Sequence, residues 1–173
     1  MQDDDLPQLP DPDEPTELQL RQFADQHAAH LRDLIAEHGW AVQGVIGDHE
    51  HPSVSYTVGL TRYHGHPELV VVGLGNGGGL LNLLGERVKA GERLRAGQVI
   101  QFERATQRVC FVTVENPEPL IYANELYQWA DGPPVPALQV VWADPAGWFP
   151  WEEEYAVSPR TQPLLGPLPE SLA

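Results

Sequence analysis

Two close pairs of histidines are the residues whose type and spacing first indicate chemistry. His49 and His51 fall in one expected turn, and His64 and His66 fall in the next, which is followed by Glu68. Alternate residues of an extended chain point the same way, so the last three have a spacing found in metal ligands. A glycine before His66 and a proline after it favour a turn instead. We therefore predict hydrogen-bonded turn histidines and no metal site.

A glycine-rich segment, Gly73-Leu74-Gly75-Asn76-Gly77-Gly78, matches the G-x-G-x-x-G pattern of dinucleotide-binding loops. It follows an apolar segment and precedes a short helical one. The acid that would contact a ribose is Glu103, which lies 30 positions after Gly73, whereas about 20 separate the two in the usual unit. The segment therefore fits either a dinucleotide-binding loop or a plain glycine loop.

Nucleophiles are few and lack partners at characteristic offsets. Ser53 and Ser55 have no histidine and acid at the spacings that activate a serine. Cys110 sits in an apolar run, where a thiolate is disfavoured. No reaction can be assigned from these residues, and whether the protein is an enzyme stays open.

Polar and amphipathic groups near the ends of the expected strands define a predicted ligand pocket. These are Tyr56, Thr57, His66, Glu68, Asn82, Trp142, Asp144 and Trp151. Aromatic faces with a few directed polar groups are typical of small-molecule sites. Tryptophans also close small cores with the indole N–H bonded to backbone. On either interpretation, His66 and Trp142 should be buried.

The segment expected to position these groups is Ser53 to Leu74, SVSYTVGLTRYHGHPELVVVGL. Apolar residues alternate with small polar ones through Leu60, which predicts a strand with one small polar face. That face leaves room for a ligand ring. Residues 73–79 hold no Lys or Arg, so a phosphate would depend on helix N-terminal N–H groups and on Arg62.

The rest of the chain predicts the elements around this segment. Thr16 with Gln19 three positions on forms a capping box, and Gly39 is suited to ending that helix. Further helices are expected at 80–90 and 119–130, and strands at 40–47, 53–61, 68–74, 98–104, 108–115 and 137–142. About six strands and about three helices predict an α+β fold, with a mainly antiparallel sheet or a partly closed barrel.

Three regions are expected along the chain. Residues 1–15 combine acids with four prolines and predict a disordered acidic tail. Residues 16–165 form a single domain, and residues 166–173 a C-terminal tail. The predicted C-terminal strand-like stretch carries Leu164 and Leu165, which are spaced to cover apolar surface.

Charge and cysteine content exclude several classes of function. The formal net charge is -15, and no basic patch is present that would bind a nucleic-acid backbone. Cys110 is the one cysteine, which favours a reducing cytoplasm. No window approaches the ~18 apolar residues that a membrane span requires. A small molecule or a protein is therefore the expected partner, with the oligomeric state left open.

With these residues in view, the sequence resembles a bacterial family known only as domain of unknown function 4262. The resemblance rests on His38-Gly39-Trp40, Tyr56-Thr57-Val58-Gly59-Leu60, Gly65-His66-Pro67-Glu68-Leu69, Gln139-Val140-Val141-Trp142-Ala143-Asp144, Phe149-Pro150-Trp151-Glu152 and Gln162-Pro163-Leu164-Leu165. It covers residues 37–165 and implies no settled activity. The order of strand, turn, apolar strand and helix also looks like the start of flavin-binding split barrels, which is an analogy of fold alone.

Three functions follow as hypotheses. The first is binding of a small molecule or cofactor at residues 53–74, with flavin as the leading candidate. The second is a non-enzymatic interaction or regulatory domain that uses the aromatic segment Trp148 to Trp151, because such residues suit interface centres. The third is dinucleotide binding by the glycine loop at 73–78.

Overall fold

The computed structural model describes residues 15–103 and 107–172. The predicted acidic tail therefore lies outside the described residues, apart from Pro15. In chain order the elements are α1 (Glu17–His38), β1 (Ala41–Val45), β2 (Val54–Val58), α2 (Leu60–His64), β3 (Glu68–Val72), α3 (Gly77–Lys89), β4 (Val99–Gln101), β5 (Arg108–Thr113), α4 (Ile121–Tyr127) and β6 (Ala137–Trp142), followed by a 3-10 turn at Glu170–Leu172.

The six strands form one open, mixed sheet in the order β1-β2-β3-β6-β5-β4. Neighbours are antiparallel except β3 and β6, which run parallel. The predicted α+β class with a mainly antiparallel sheet is confirmed, whereas the barrel alternative is not found, because β1 and β4 remain separate edges. The described residues hold four α-helices instead of about three, since the expected turn after β2 folds into α2.

Helix α1 begins and ends where the sequence predicts. Thr16 Oγ1 accepts from the Gln19 main-chain N–H and the Gln19 side chain bonds back to Thr16 N, which completes the capping box. Gly39 ends the helix with φ 94°, a left-handed conformation that glycine adopts without strain. The second half of the helix buries Ala28, Leu31 and Ile35 against the sheet.

The two faces of the sheet bury different partners. One face, which includes Val71, Val140 and Trp142, packs against the leucines of α3. On the other face, α1 and α4 cover the β1-β2-β3 half, where Tyr56 and Val58 are buried. The remaining half of that face is covered by the C-terminal stretch, whose Leu164, Leu168 and Leu172 pack on a cluster that contains Cys110, Val112, Val141, Ala143 and Phe149.

The small polar face of β2 receives helix α3. A Cβ at Gly77, the first residue of α3, would lie 2.6 Å from Val71 Cγ1 and 3.4 Å from Ser55 Oγ. Gly73, at φ 70°, lies directly against the Thr161 carbonyl. The glycine segment therefore serves close packing against β2, β3 and the C-terminal stretch.

Two buried glutamine side chains join the C-terminal stretch to β6. Gln162 Oε1 accepts from the Trp142 main-chain N–H (2.8 Å) and its Nε2 donates to the Trp142 carbonyl (2.9 Å). Gln139 Nε2 donates to the Pro163 carbonyl (2.8 Å), and its Oε1 accepts from Leu165 N–H (2.7 Å). Each side-chain amide forms two hydrogen bonds with main-chain groups, as the main chain of a neighbouring strand would.

We predict that Gln162→Ala lowers the free energy of unfolding by at least about 2 kcal/mol, because it leaves two buried main-chain groups of Trp142 unpaired. In a domain of this size each kcal/mol corresponds to about 2–4 °C in Tm. Gln128→Ala is the matched control, since the exposed Gln128 makes one bond to the Gly132 carbonyl. Equal melting temperatures for the two variants would contradict this role of Gln162.

Candidate functional site

A fully buried carboxylate, Glu68, lies at the start of helix α2. Its oxygens accept from Thr57 Oγ1 (2.7 Å) and from the main-chain N–H groups of Gly59 (3.0 Å), Leu60 (3.3 Å) and Thr61 (3.0 Å). The first N–H groups of a helix have no partner within the helix. Glu68 therefore caps α2 from the neighbouring strand.

The protonation of Glu68 is set by opposing influences. Burial raises the pKa of Glu68 above its ordinary value, and the hydrogen bonds from Thr57, Thr61 and Gly59 act in the opposite direction. All four donors around the carboxyl are fixed by the fold, and the group has no access to solvent. This position indicates a structural role for Glu68, because a substrate would have to displace α2 to reach the carboxyl group.

Thr57 joins this carboxyl to the sheet. Its Oγ1 donates to Glu68 and accepts from the Leu69 main-chain N–H over 2.8 Å. The backbone pairing of β2 with β3 extends only to Tyr56 and Val70. The Thr57 hydroxyl thus replaces a backbone partner where the two strands separate to admit α2.

His66 is buried, as predicted, and its tautomer follows from its bonds. Nε2 accepts from the Leu94 main-chain N–H at 3.1 Å. Nδ1 lies 2.7 Å from the Pro67 carbonyl and must therefore carry the proton. Burial lowers the pKa of His66, and protonation at Nε2 would break the bond from Leu94. This histidine fixes the connection after α3 to the turn before β3.

The aromatic and amide members of the predicted pocket lie in separate places. Trp142 is buried, as predicted, and its Nε1–H donates to the Val72 carbonyl over 2.8 Å. Tyr56 OH accepts from Tyr122 N–H (3.3 Å) on the opposite side of the sheet. Asn82 Oδ1 accepts from the Trp40 indole N–H (3.2 Å), beside a crevice of about 400 Å³.

Asp144 organises the loop that follows β6. Its carboxylate accepts from the main-chain N–H groups of Ala146 and Trp148 (both 2.9 Å) and Ala156 (3.0 Å). Burial raises the pKa of Asp144, but these hydrogen bonds outweigh it and the net pKa is lowered. Trp151, the last predicted pocket residue, stacks on the buried Phe149 ring with centroids 4.9 Å apart.

The eight predicted pocket residues lie at several places in the fold and bond to or pack on other parts of the protein, and their role in binding a ligand stays a prediction. A cavity of about 820 Å³ is an open groove where β2 begins and β3 ends. It is lined by Asp48, His49, Glu50, His51, Pro52, Ser53, Gly73, Arg160, Thr161 and Pro163. Among residues 15–103 and 107–172, no group of three or more His, Cys, Asp or Glu is placed to hold a metal.

An exposed apolar surface is the feature that the sequence did not reveal. It comprises Leu20 and Phe23 of α1, Val45 and Ile46 at the end of β1, and Ile121 at the start of α4. We call these five residues the edge patch. Phe23 is 67% exposed and Val45 is 52% exposed. The sequence predicts an apolar stripe along α1, formed at helical spacing by Leu20, Phe23, Ala24, Leu31, Leu34 and Ile35. It gives no means of seeing that the sheet covers only the second half of this helix.

Ring contacts connect the parts of the edge patch. Phe23 stacks on His27 with centroids 6.2 Å apart, and His27 meets the Tyr122 ring edge-on at 4.8 Å. Tyr122 is the neighbour of Ile121 on α4. His27 Nε2 also lies 2.5 Å from Gln43 Oε1 on β1. These contacts join the three elements, α1, β1 and α4, that carry the patch.

A family model described as Domain of unknown function (DUF4262) matches residues 34–156. The chain belongs to this family. Comparisons with curated proteins and with solved structures give no match. The DUF4262 region contains all six strands and begins within the buried second half of α1, so β1 lies inside it and Phe23 lies outside. None of the described helices is long and apolar enough to cross a membrane.

Two hydroxyls on the same face of β2 allow a matched test of the Glu68 network. Thr57→Val leaves the buried Leu69 N–H unpaired and removes one donor from Glu68, so we expect a loss of about 2 kcal/mol of unfolding free energy. Ser55→Ala is the control, because Ser55 contacts α3 by packing, and should cost less than ~1 kcal/mol. Urea unfolding measures both. A Thr57→Val variant as stable as Ser55→Ala would contradict the assignment.

Proposed function

We propose that this DUF4262 protein is a protein-interaction domain whose contact surface is the edge patch. The observation that supports it is the exposure of Phe23 on a helix whose apolar stripe continues beyond the sheet that buries its other half. Contiguous exposed apolar groups on a soluble domain mark interaction surfaces more often than scattered ones do.

The chemistry of the patch suits an interface centre. Its side chains are aromatic or branched aliphatic, and the Phe23 and Tyr122 rings both contact His27. Side chains that are already ordered lose little conformational entropy on binding. A partner that binds here therefore buries apolar area against side chains that are already ordered.

The polar interior of the domain agrees with a non-catalytic role. Glu68, His66 and Asp144 are buried and titratable, and each is hydrogen-bonded to main-chain groups of the protein. Catalytic groups need access to a reacting atom. The proposal accordingly uses the surface and requires no reaction.

The aromatic segment after β6 is less suited to this role than the edge patch. Phe149 is buried with the Arg108 guanidinium over its ring at 4.8 Å. Trp148 keeps about a third of its surface exposed, at 37%. The segment therefore contributes chiefly to the core, and the proposed partner surface lies on the helical side of β1.

Site-specific photocrosslinking tests the proposal. We expect that a photoreactive phenylalanine analogue in place of Phe23 forms a discrete adduct in cells that produce the protein naturally. The same analogue in place of Leu83 is the control, because Leu83 is 50% exposed on α3 and lies outside the patch. Absence of an adduct at position 23, or an equal yield at both positions, would show that the patch is not an interface.

A small-ligand function is the second candidate, and the groove of about 820 Å³ supports it. Ser53 and Gly73, which lie near the two ends of the segment predicted to bind a ligand, both line this groove, and Arg160 supplies a cation for an anionic group. Flavin mononucleotide is the probe for the cofactor hypothesis. We expect a rise in Tm with the probe that Arg160→Ala reduces; colourless protein with an unchanged Tm would remove flavin.

The cellular setting is part of the same proposal. Cys110 is buried and unpaired, which suits a reducing compartment, and the expected partner is a protein of the bacterial cytoplasm.

A further inference from the structure

Strand β1 is an edge that carries none of the usual protections against pairing. Its sequence, Ala41–Val45, contains no charge and no proline, and Ile46 beyond it is almost fully exposed. Edge strands are ordinarily blunted by charges, prolines, bulges or shortness. The opposite edge, β4 (Val99–Gln101), has only three residues. The open edge at β1 is thus the longer and less protected one.

The edge patch lies next to this open edge. His27 of α1 bonds to Gln43 of β1, and the chain reverses at Gly39, so the helix and the strand run in opposite directions. Four helix residues span about 6 Å and two strand residues about 6.6 Å. Phe23 is therefore level with Val45, and a strand added to β1 would lie beside the exposed half of α1.

We propose that the occupant of this edge is a second copy of the chain, paired through β1 in antiparallel fashion about a two-fold axis at Gln43. This inference rests on the proposed interaction function and names its partner. The result is one continuous sheet of twelve strands, six from each copy. Gln43 Nε2 bonds to the Gly44 carbonyl at 2.7 Å, a contact that a pairing strand replaces.

Charge at the two ends of β1 favours an antiparallel copy. Lys89 Nζ donates to the His38 carbonyl (3.2 Å) just before the strand starts. Asp48 and Glu50 follow the end of the strand. Antiparallel pairing brings the Lys89 end of one copy toward the carboxylates of the other, whereas parallel pairing would bring like charges together. Glu37, 3.7 Å from the His38 ring, weakens this complementarity in part.

A two-fold arrangement also accounts for the apolar stripe on α1. A closed dimer uses the same surface on both copies, and stable interfaces bury about 1,200–2,000 Å² in total. Five strand residues alone supply too little apolar area for this. Pairing at β1 brings both exposed α1 halves to the same face of the joined sheet, where Leu20 and Phe23 add the area that the ladder lacks.

Sedimentation velocity over a micromolar concentration range tests the pairing. We expect the full chain to sediment at twice its 19.2 kDa mass. Val45→Lys should raise the dissociation constant about tenfold or more, because it places a charge inside the interface, opposite Ala41 of the other copy. Val99→Lys is the control, since Val99 is 40% exposed on the other edge strand, and should leave the dimer intact. A monomer at every concentration, or equal effects of the two variants, would overturn self-pairing.

An oxidative crosslink checks the register independently of folding effects. Gln43→Cys places two thiols opposite each other at the axis, within the reach of a disulfide. The native thiol, Cys110, is buried. We expect a covalent dimer from this variant under mild oxidant and none from Val99→Cys. If Val45→Lys weakens the dimer but Gln43→Cys does not crosslink it, the pairing is not centred on Gln43.

These outcomes separate the failure of self-pairing from the failure of the interaction function. Purified protein that stays monomeric, together with an adduct to a different protein at position 23 in cells, removes the second copy but keeps the interaction domain. A dimer that resists Val45→Lys, with no adduct at position 23, removes both the pairing and the edge patch as an interface.

Discussion

The structure depends on one constraint, which is that buried main-chain polar groups must find hydrogen-bond partners. Backbone pairing between β2 and β3 stops at Tyr56, and pairing between β3 and β6 stops at Gln139. Beyond these points side chains take over. The Thr57 hydroxyl receives Leu69 N–H, and the Gln162 amide pairs with both main-chain groups of Trp142. Side chains thus continue the hydrogen bonding of the sheet where backbone pairing between neighbouring strands stops.

This constraint explains why residues of types common in catalytic sites have structural roles in this protein. A buried carboxylate or imidazole in a turn is typical of a catalytic site. The same groups are equally suited to form the hydrogen bonds that the main chain of a buried turn requires. Glu68 has three main-chain donors and one hydroxyl around it, and His66 joins two connections through opposite ring nitrogens. Desolvation shifts both pKa values toward the neutral forms. The same shift in a solvent-connected cleft would have indicated chemistry.

The sequence was informative wherever local rules decide structure. The capping box at Thr16, the end of α1 at Gly39 and the limits of β6 follow from short-range patterns, and these agree with the structure. Helix α2 was missed because its N-terminal donors are satisfied by Glu68 from another strand. The start of α3 at Gly77 was missed because glycine disfavours a helix unless close packing against Val71 requires it. His66 and Trp142 were correctly predicted to be buried, but their partners Leu94 and Val72 are distant in sequence, and no spacing rule encodes them.

Hydrogen bonding also distinguishes the edge strand β1 from the interior of the sheet. At interior gaps the side chains of Thr57, Trp142 and Gln162 form hydrogen bonds with main-chain groups, whereas along β1 the described residues offer only the Gln43 contact to Gly44. Beside it, the apolar stripe of α1 runs past the sheet. The outer main chain of β1 is available for pairing with another strand, and the uncovered apolar surface is unfavourable in water, so one adjacent strand bearing its own helix would use the first and cover the second. The coincidence of the two on one edge is the reason for proposing association there.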